Sequence, residues 1–288
     1  MKKRILLTTF FLLFALGLAS VPLPAFQETT FLETIETGQK PFSSGESLLY
    51  EVNWKPLFLL PAFKAGEIRL EINESQYQGI DTFQITGEVY SEGALTRITG
   101  LEVRNRFSSQ VDRKNLRSYQ NTQIIRQGKR QRDLTLTFDY TRNRTTILET
   151  DPSFDPPKVL RNQVKPGISA PVTDILSVFY VARCKALSEG EQLILHLNEK
   201  GSLKKIEVLT GSKEKIKTPV GDFPSIKLST SSEIFKGGGE LRIWYSTDSL
   251  RIPTKFEADV KFGKVYGELI RMDTPTQTRG ILRLGSGE

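Results

Sequence analysis

Few side chains in this sequence are of a type and number that could do chemistry. It has one histidine and one cysteine in 288 residues. Zinc sites need several clustered imidazole, thiolate or carboxylate ligands, so a His/Cys zinc site cannot be assembled from this chain. A Ser-His-Asp triad would have to use His196, and no Gly-x-Ser-x-Gly turn accompanies it. Because His196 alternates with the leucines of its segment, we expect an ordinary surface histidine.

The other chemical candidates have simpler structural explanations. Cys184 lies in an apolar segment, which predicts a buried, inert thiol, and as the only cysteine it excludes an intramolecular disulfide. Gly237–Gly239 lacks the Lys-Ser/Thr of a phosphate-binding loop and indicates a hairpin turn. Asp151 and Asp155 could form the acid pair of a glycoside hydrolase, but acids are common in proline-rich turns. The sequence therefore predicts no catalytic residue, metal or cofactor.

Positive charge is concentrated in one part of the chain. Residues 97–144 contain twelve Lys or Arg against four acids, a local net charge of +8, whereas the whole chain carries +7. Arg104 and Arg106 would share one face of a strand. Such a stripe could bind anionic lipid headgroups, lipopolysaccharide phosphates or an acidic envelope glycan. The alternative is a solvated sheet face that prevents edge pairing.

An apolar loop is the second candidate binding feature. Pro56–Phe63 is almost wholly apolar and contains two prolines. Three roles are open for it: covering the core, lining the mouth of a lipid cavity, or touching a membrane. A ligand-binding hypothesis combines this loop with the arginine stripe and one helix residue, namely Leu57, Phe58, Leu59, Leu60, Phe63, Arg104, Arg106 and Phe179.

The N-terminal segment has the three parts of a secretory signal. Three basic residues precede the apolar run Ile5–Ala19, and Pro22, Pro24 and Ala25 follow. Cleavage is predicted after Ala25, with Ala19 as the alternative, and removal of the basic residues lowers the net charge to about +4. The run is shorter than a membrane span, and no cysteine follows it for lipid attachment. We therefore expect a soluble, exported periplasmic protein that is not a lipoprotein and has no transmembrane segment after cleavage.

One helix is predicted in an otherwise β-rich chain, over residues 173–187. Thr173 and Asp174 are good N-cap residues, and Gly190 could end the helix. Helical spacing predicts a buried stripe of Ile175, Val178, Phe179, Ala182 and Ala186. Further apolar residues widen the stripe, so that only Ser177, Arg183 and Lys185 are expected to face outward. Such a helix must pack across a sheet or act as a lid over a cavity.

The rest of the chain predicts about thirteen short strands. Alternating apolar residues and glycine turns indicate hairpins, such as Ser118–Ile125 with Arg132–Tyr140 and Gln192–Leu197 with Leu203–Leu209. The proline-rich loop Asp151–Pro157 follows the last strand before the helix. We expect an all-β, mainly antiparallel fold, a large sandwich or partly closed barrel. The expected organisation is a signal peptide over 1–25, a flexible leader over 26–44, one β-rich domain over 45–273 and a disordered tail over 274–288.

Four motifs resemble a known family of exported bacterial proteins, the domain of unknown function 3108 family. They are Gly45–Trp54 with Ala65–Glu67, Asp174–Tyr180, Lys217–Phe223, and Trp244–Asp248 with Arg251–Pro253. The resemblance covers roughly Gly45 to Met272 and departs from the family pattern at Pro56–Phe63. It implies an exported β-rich architecture and no catalytic residue.

Three functions follow as hypotheses. The first is a noncatalytic periplasmic protein that binds an amphipathic or lipid-like envelope molecule in a curved sheet, with the helix as a lid. The second is a structural or assembly factor that contacts other envelope proteins through its sheet edges. The third is an unrecognised hydrolase. Nucleic acid is not expected as a partner, because an exported protein does not meet it and the aromatic residues of single-strand binders are sparse.

Overall fold

The computed structural model describes residues 40–57, 61–93, 96–97, 100, 102–168, 172–185, 187–199, 201–230, 239–260 and 263–275. This part of the chain contains fourteen strands and one α-helix of two turns. The strands are β1 Glu46–Pro56, β2 Phe63–Tyr77, β3 Ile80–Ser91, β4 Val103–Asp112, β5 Ser118–Gln127, β6 Arg130–Asp139, β7 Arg144–Asp151, β8 Lys158–Pro166, β9 Gln192–Glu199, β10 Ser202–Thr218, β11 Gly221–Thr230, β12 Leu241–Ser246, β13 Pro253–Val260 and β14 Gly263–Asp273. The helix, α1, is Ser177–Cys184.

All fourteen strands belong to one antiparallel sheet. Each strand pairs with its neighbours in sequence except that β8 and β9 do not pair, and β1 pairs with β14, so the sheet order is β8-β7-β6-β5-β4-β3-β2-β1-β14-β13-β12-β11-β10-β9. The predicted antiparallel all-β class is confirmed. The sheet is not closed into a barrel, because β8 and β9 remain its two edges. The chain between these edges contains α1, so the connection runs through the helix instead of pairing the edges.

The sheet has two arms, β1–β8 and β9–β14, and they come close together on the side that carries the helix. Gly201, in the turn between β9 and β10, lies so close to β7 that a Cβ atom there would be 2.3 Å from Ile147 Cδ1. Residues 172–173 bridge the arms: Ser118 N–H of β5 donates to Val172 O at 2.9 Å, and Asn198 N–H of β9 donates to Thr173 O at 2.8 Å. The Thr173 hydroxyl also donates to the His196 carbonyl. The segment before α1 is therefore fixed inside the curved sheet.

Strand alternation sets the inner face and the core. In β4, Val103, Asn105 and Phe107 are buried while Arg104 and Arg106 are exposed. The same period of two recurs in β1, β5 and β6. The main core contains inner residues of β1–β4, α1 and the β9–β14 arm, and a second cluster lies against β6 and β7.

The predicted strands are present, with two corrections. β8 was not predicted, because its residues are exposed on both faces and give no alternation of apolar and polar types. β10 continues to Thr218, beyond the predicted end at Leu209, through a register shift between Thr210 and Lys213. The predicted hairpins around Gly128 and Gly201 are both formed.

The helix is shorter than predicted, and two residues expected to face outward are buried. The Asp174 carboxylate accepts the backbone N–H groups of Leu176 and Ser177 at 2.8 and 3.0 Å, so a capped turn occupies the predicted first residues. Lys185 has extended backbone dihedrals and ends the helix, well before Gly190. Ser177 and Arg183 are both fully buried, since each makes polar contacts inside the sheet.

Arg183 is held by a fully buried ion pair. Its guanidinium donates to the two carboxylate oxygens of Glu46 at 2.5 and 2.8 Å. The same group donates to the carbonyl oxygens of Pro41 at 3.0 Å and Leu250 at 2.8 Å. These contacts connect the end of α1 to the beginning of β1 and to the loop after β12, which lie far apart in sequence.

Removing the arginine alone should strongly destabilise the protein. Arg183→Met leaves the Glu46 carboxylate buried without its cation, and breaking such a pair from one side costs about 3–5 kcal/mol. The double variant Arg183→Met/Glu46→Met removes both charges and should recover most of that loss. Urea unfolding of both variants measures the difference. Equal destabilisation by the single and the double variant would contradict a role for the pair.

Candidate functional site

An apolar cavity lies between α1 and the inner face of the sheet. Its volume is about 200 Å³. The lining combines helix residues with inner residues of β1, β2 and β9–β13. It consists of Tyr50, Ile68, Leu70, Ile175, Val178, Phe179, Ala182, Leu195, Leu197, Ile206, Val208, Leu228, Thr230, Leu241, Ile243, Tyr245, Pro253, Phe256 and Ala258. The cavity is therefore bounded by the helix on one side and by strands from both halves of the chain on the other.

The helix presents two apolar faces, and only one of them lines the cavity. Four residues with the spacing of one helix face, Ile175, Val178, Phe179 and Ala182, line it. The first three are only partly buried, whereas Leu176, Tyr180 and Val181 are fully buried in the core. Four of the five residues of the predicted apolar stripe thus line the cavity, and the fifth, Ala186, lies outside the described residues. Leu176, Tyr180 and Val181, which widened the predicted stripe, attach the helix to the sheet.

The cavity wall contains no charged side chain. Its polar side chains are one threonine, Thr230, and two tyrosines. Both tyrosine hydroxyls donate to the backbone: Tyr50 to Pro253 O at 2.7 Å and Tyr245 to Phe179 O at 3.4 Å. An apolar cavity of about 150 Å³ stays free of water and binds benzene. A wall of this composition therefore favours an uncharged, apolar group.

Asp174 holds the start of the helix from inside the sheet. Its carboxylate is fully buried and accepts hydroxyl hydrogen bonds from Ser109 at 2.7 Å and Ser118 at 2.6 Å. Asn121 donates to Ser109 Oγ at 3.0 Å and accepts from Gln123 at 2.9 Å, which extends this network along β5. The helix is therefore fixed at both ends by buried polar groups.

Burial raises the pKa of the Asp174 carboxyl above its ordinary value, although the hydrogen bonds from Ser118, Ser177, Ser109 and Leu176 act in the opposite direction. The sequence identified Asp174 as an N-cap candidate but gave no sign of its partners. Ser109 and Ser118 are inner residues of β4 and β5, and serine is mostly a surface residue. Only the pairing of the strands shows that both hydroxyls meet this carboxylate.

The arginine stripe does not reach the cavity. Arg104 and Arg106 are exposed on the outer face of β4, opposite the face that carries Phe107. Arg104 pairs with Glu102 at 2.6 Å and Arg106 with Glu88 at 3.4 Å. Other cations of residues 97–144 also pair with acids, in Arg113–Glu74, Arg117–Asp112, Arg126–Asp133, Arg132–Asp151 and Arg144–Asp139. The arrangement favours a solvated outer face over an anion-binding stripe.

The apolar loop is described only at its two ends. Leu57, just after β1, is 52% exposed. Phe63 begins β2 and packs its ring against Trp54 at a centroid distance of 5.3 Å. Phe58, Leu59 and Leu60 lie outside the described residues. Of the residues in the ligand-binding hypothesis, Phe179 lines the cavity, and the other described ones lie outside its wall.

The chemical candidates are not assembled into a catalytic site. His196 is buried, so the expectation of a surface histidine is wrong, because the segment before α1 covers the β9 edge at this point. Burial raises the pKa of the Cys184 thiol to about 11, which keeps it protonated. Asp151 bonds to Ser153 and Arg132, which lower its pKa, the reverse of what a general acid needs. Among the described residues, no cluster of three or more His, Cys, Asp or Glu side chains could hold a metal ion.

The stability contribution of Asp174 should depend on pH. Because its folded-state pKa lies above 3.8, the contribution is complete below that pH and is lost as pH rises through the folded pKa. Asp174→Asn keeps the shape of the side chain and has no proton to lose. We expect the unfolding free energy of the wild type, minus that of the variant, to fall as pH rises above 3.8. Urea unfolding at several pH values measures this difference.

Asp174→Ala is the control for the hydrogen bonds themselves. It leaves the hydroxyls of Ser109 and Ser118 and two backbone N–H groups without their acceptor. We expect a loss about 2–3 kcal/mol larger than that of Asp174→Asn, with the same dependence on pH, because alanine also has no proton to lose. A difference between wild type and Asp174→Asn that rises with pH would contradict the pKa direction.

Comparisons with known proteins support the fold and not an activity. A β-barrel-like protein of the domain of unknown function DUF1849 from Brucella abortus is similar in structure, with a TM-score of 0.54 at 9% identity, over 80% of this chain and 97% of that chain. A Bacteroides fragilis protein with a YmcC-like fold matches with a TM-score of 0.31 at 11% identity, over 82% of this chain and 98% of that one. No curated protein matches the chain. No helix in the described residues is long and apolar enough to cross a membrane.

A family model agrees with the motifs identified in the sequence. The model named Protein of unknown function (DUF3108) matches residues 49–270, from the first strand to the last. The match includes the whole of α1 and every strand that lines the cavity. The chain belongs to the DUF3108 family.

Proposed function

We propose that this chain is a noncatalytic, exported periplasmic protein that binds the apolar part of an amphipathic envelope molecule in the cavity beneath α1. The observation that carries the proposal is the composition of the cavity wall. Nineteen residues line it, none of them is charged, and three belong to the helix, with Ile175 just before it. Ligand pockets with mostly apolar walls and few polar groups are the usual sites for small molecules.

The partial exposure of the wall supports a binding role over a packing defect. Phe179, Ile243 and Phe256 are only partly buried although each lies on the inner side of the fold. Burying apolar surface stabilises a complex by about 25 cal/mol per Å² removed from water. An apolar ligand would therefore gain free energy at the surfaces that the empty protein leaves uncovered.

The cavity also bounds the size of the ligand. Its volume of about 200 Å³ is somewhat larger than an engineered cavity of about 150 Å³ that holds benzene. One ring or a short acyl segment fits. Because Asp174 and Arg183 fix both ends of α1, the helix cannot move aside to enlarge the cavity. A longer acyl chain would therefore have to extend beyond the cavity wall. A charged headgroup would remain outside, since no side chain of the wall could neutralise it.

Export is supported by the N-terminal sequence, with its basic residues, apolar run and small residues before a cleavage position.

A noncatalytic role is supported by the hydrogen bonds and ion pair of the best acid candidate. The carboxylate of Asp151 is bound by Arg132 and Ser153. Asp151→Asn with Asp155→Asn should therefore leave any cellular phenotype of the protein unchanged. A loss of phenotype with retained folding would favour the hydrolase hypothesis instead.

Native mass spectrometry of the mature protein purified from the periplasm tests the proposal. We expect an additional mass in a one-to-one ratio that extracts into organic solvent, whose identity gives the ligand class. A mass without ligand, combined with no uptake from an envelope lipid extract, would contradict a binding function.

Filling the cavity should abolish binding without unfolding the protein. In Val178→Trp, the larger side chain on the cavity face of α1 would occupy the space of the ligand. The probe is the apolar fluorophore N-phenyl-1-naphthylamine, whose phenyl ring would enter the cavity while its naphthalene extends beyond the wall. We expect its Kd to rise about tenfold or more, equivalent to about 1.4 kcal/mol. A fluorescence titration measures the Kd, and circular dichroism verifies the fold.

Val220→Trp provides the matched control. Val220 lies in the turn between β10 and β11, is exposed and does not line the cavity. The same substitution there should leave the Kd unchanged. Equal binding by both variants would place the fluorophore outside the cavity.

A further inference from the structure

The β8 edge of the sheet is free in the described part of the chain. β8 pairs with β7 on one side, and no described strand pairs with it on the other. The opposite edge is different, because Thr173 forms a parallel bridge with Leu197 of β9. The connection through α1 therefore covers part of the β9 edge and leaves β8 open. An open edge carries backbone N–H and C=O groups that can pair with another strand.

Exposed apolar side chains accompany this edge. Val159 and Val164 of β8 are 57% and 56% exposed, and Leu148 of β7 is 41% exposed. Val159 pairs with Thr150 and Val164 with Thr146, so both valines share the sheet face of Leu148. The three side chains lie on the outer face, where Asn162 separates the two valines of β8 and pairs with Leu148. Single apolar residues are ordinary on a surface, but exposed apolar residues beside an unpaired edge are available to a strand that pairs there.

The other face of β8 is basic. Lys158 and Lys165 pair with Asp151 and Thr145, which lie on the inner face of β7, so both lysines point away from the valines. Arg161 lies on the same side, 3.6 Å from Glu149. β8 contains no acidic residue. Two copies of β8 paired in antiparallel fashion would place these cations near one another, which disfavours self-association.

We propose that β8 is a docking edge for an extended, acidic segment of another envelope protein, which adds a fifteenth strand to the sheet. Apolar side chains of the segment pack on Val159 and Val164. Its alternate, acidic side chains face Lys158 and Lys165. Strand addition of this kind gains affinity from backbone hydrogen bonds and specificity from alternate side chains. The docking edge is separate from the cavity, so the two sites can be tested independently.

A synthetic peptide tests the docking edge directly. The probe is a fluorescein-labelled ten-residue peptide that alternates valine with glutamate, and its affinity for the mature chain is measured by fluorescence anisotropy. Lys158→Glu/Lys165→Glu should weaken binding about tenfold or more, since it replaces attraction with repulsion. The same variant should gain affinity for a peptide that alternates valine with lysine. Val159→Ser/Val164→Ser should also weaken binding, although it leaves the charge unchanged.

Arg104→Glu/Arg106→Glu is the matched control, because it reverses the same number of charges on β4, away from the edge. It should leave the affinity for the peptide unchanged, and circular dichroism verifies that each variant folds. Equal loss in this control would show binding by net charge alone and overturn the proposal. Undiminished binding by both β8 variants would overturn it as well. A dimer of the wild type that Val159→Ser/Val164→Ser dissociates would identify a second copy as the occupant instead.

Discussion

The buried polar anchors of α1 are the contacts on which the rest of the structure depends. A helix of two turns has little stability of its own, because too few hydrogen bonds follow its costly nucleation. Asp174 ties its start to β4 and β5, and Arg183 ties its end to Glu46 of β1. Each anchor stabilises the fold only while all of its partners are present, since a buried charge without its partners is strongly destabilising. The helix position is therefore fixed by these polar contacts together with the apolar packing of Leu176, Tyr180 and Val181 in the core.

This mode of attachment explains how an apolar cavity can persist inside the fold. Protein interiors are normally packed closely, and empty space costs stability. Here the side of α1 that bears Leu176 and Val181 packs into the core, while the side that bears Val178 and Phe179 faces open space. The anchors fix both ends of the helix, and a space between its cavity face and the inner residues of β9–β13 stays open. A protein that keeps such a space at a cost in stability is suited to binding an apolar group there.

Much of the fold could be predicted from the sequence, because half-buried strands alternate apolar and polar residues. β8 could not, since an edge strand exposed on both faces has no reason to alternate. Helical spacing predicts an apolar stripe that includes Val178 and Phe179. Whether this stripe packs against other side chains or lines a cavity depends on strands far away in sequence. The predicted exposure of Arg183 is wrong for the same reason. An arginine is normally exposed, and only the position of Glu46 in the fold makes its burial favourable. Local pattern thus identified the elements, and long-range pairing determined the site.

The proposed function rests on the apolar cavity between α1 and the inner face of the sheet. A crystal structure determined under xenon pressure would detect this cavity, because xenon enters apolar cavities without needing a specific ligand. We expect xenon bound between Val178 and Phe179 of the helix and Ile243 of β12. A crystal in which α1 packs against β12 and β13, with no xenon beneath it, would show that the cavity does not exist.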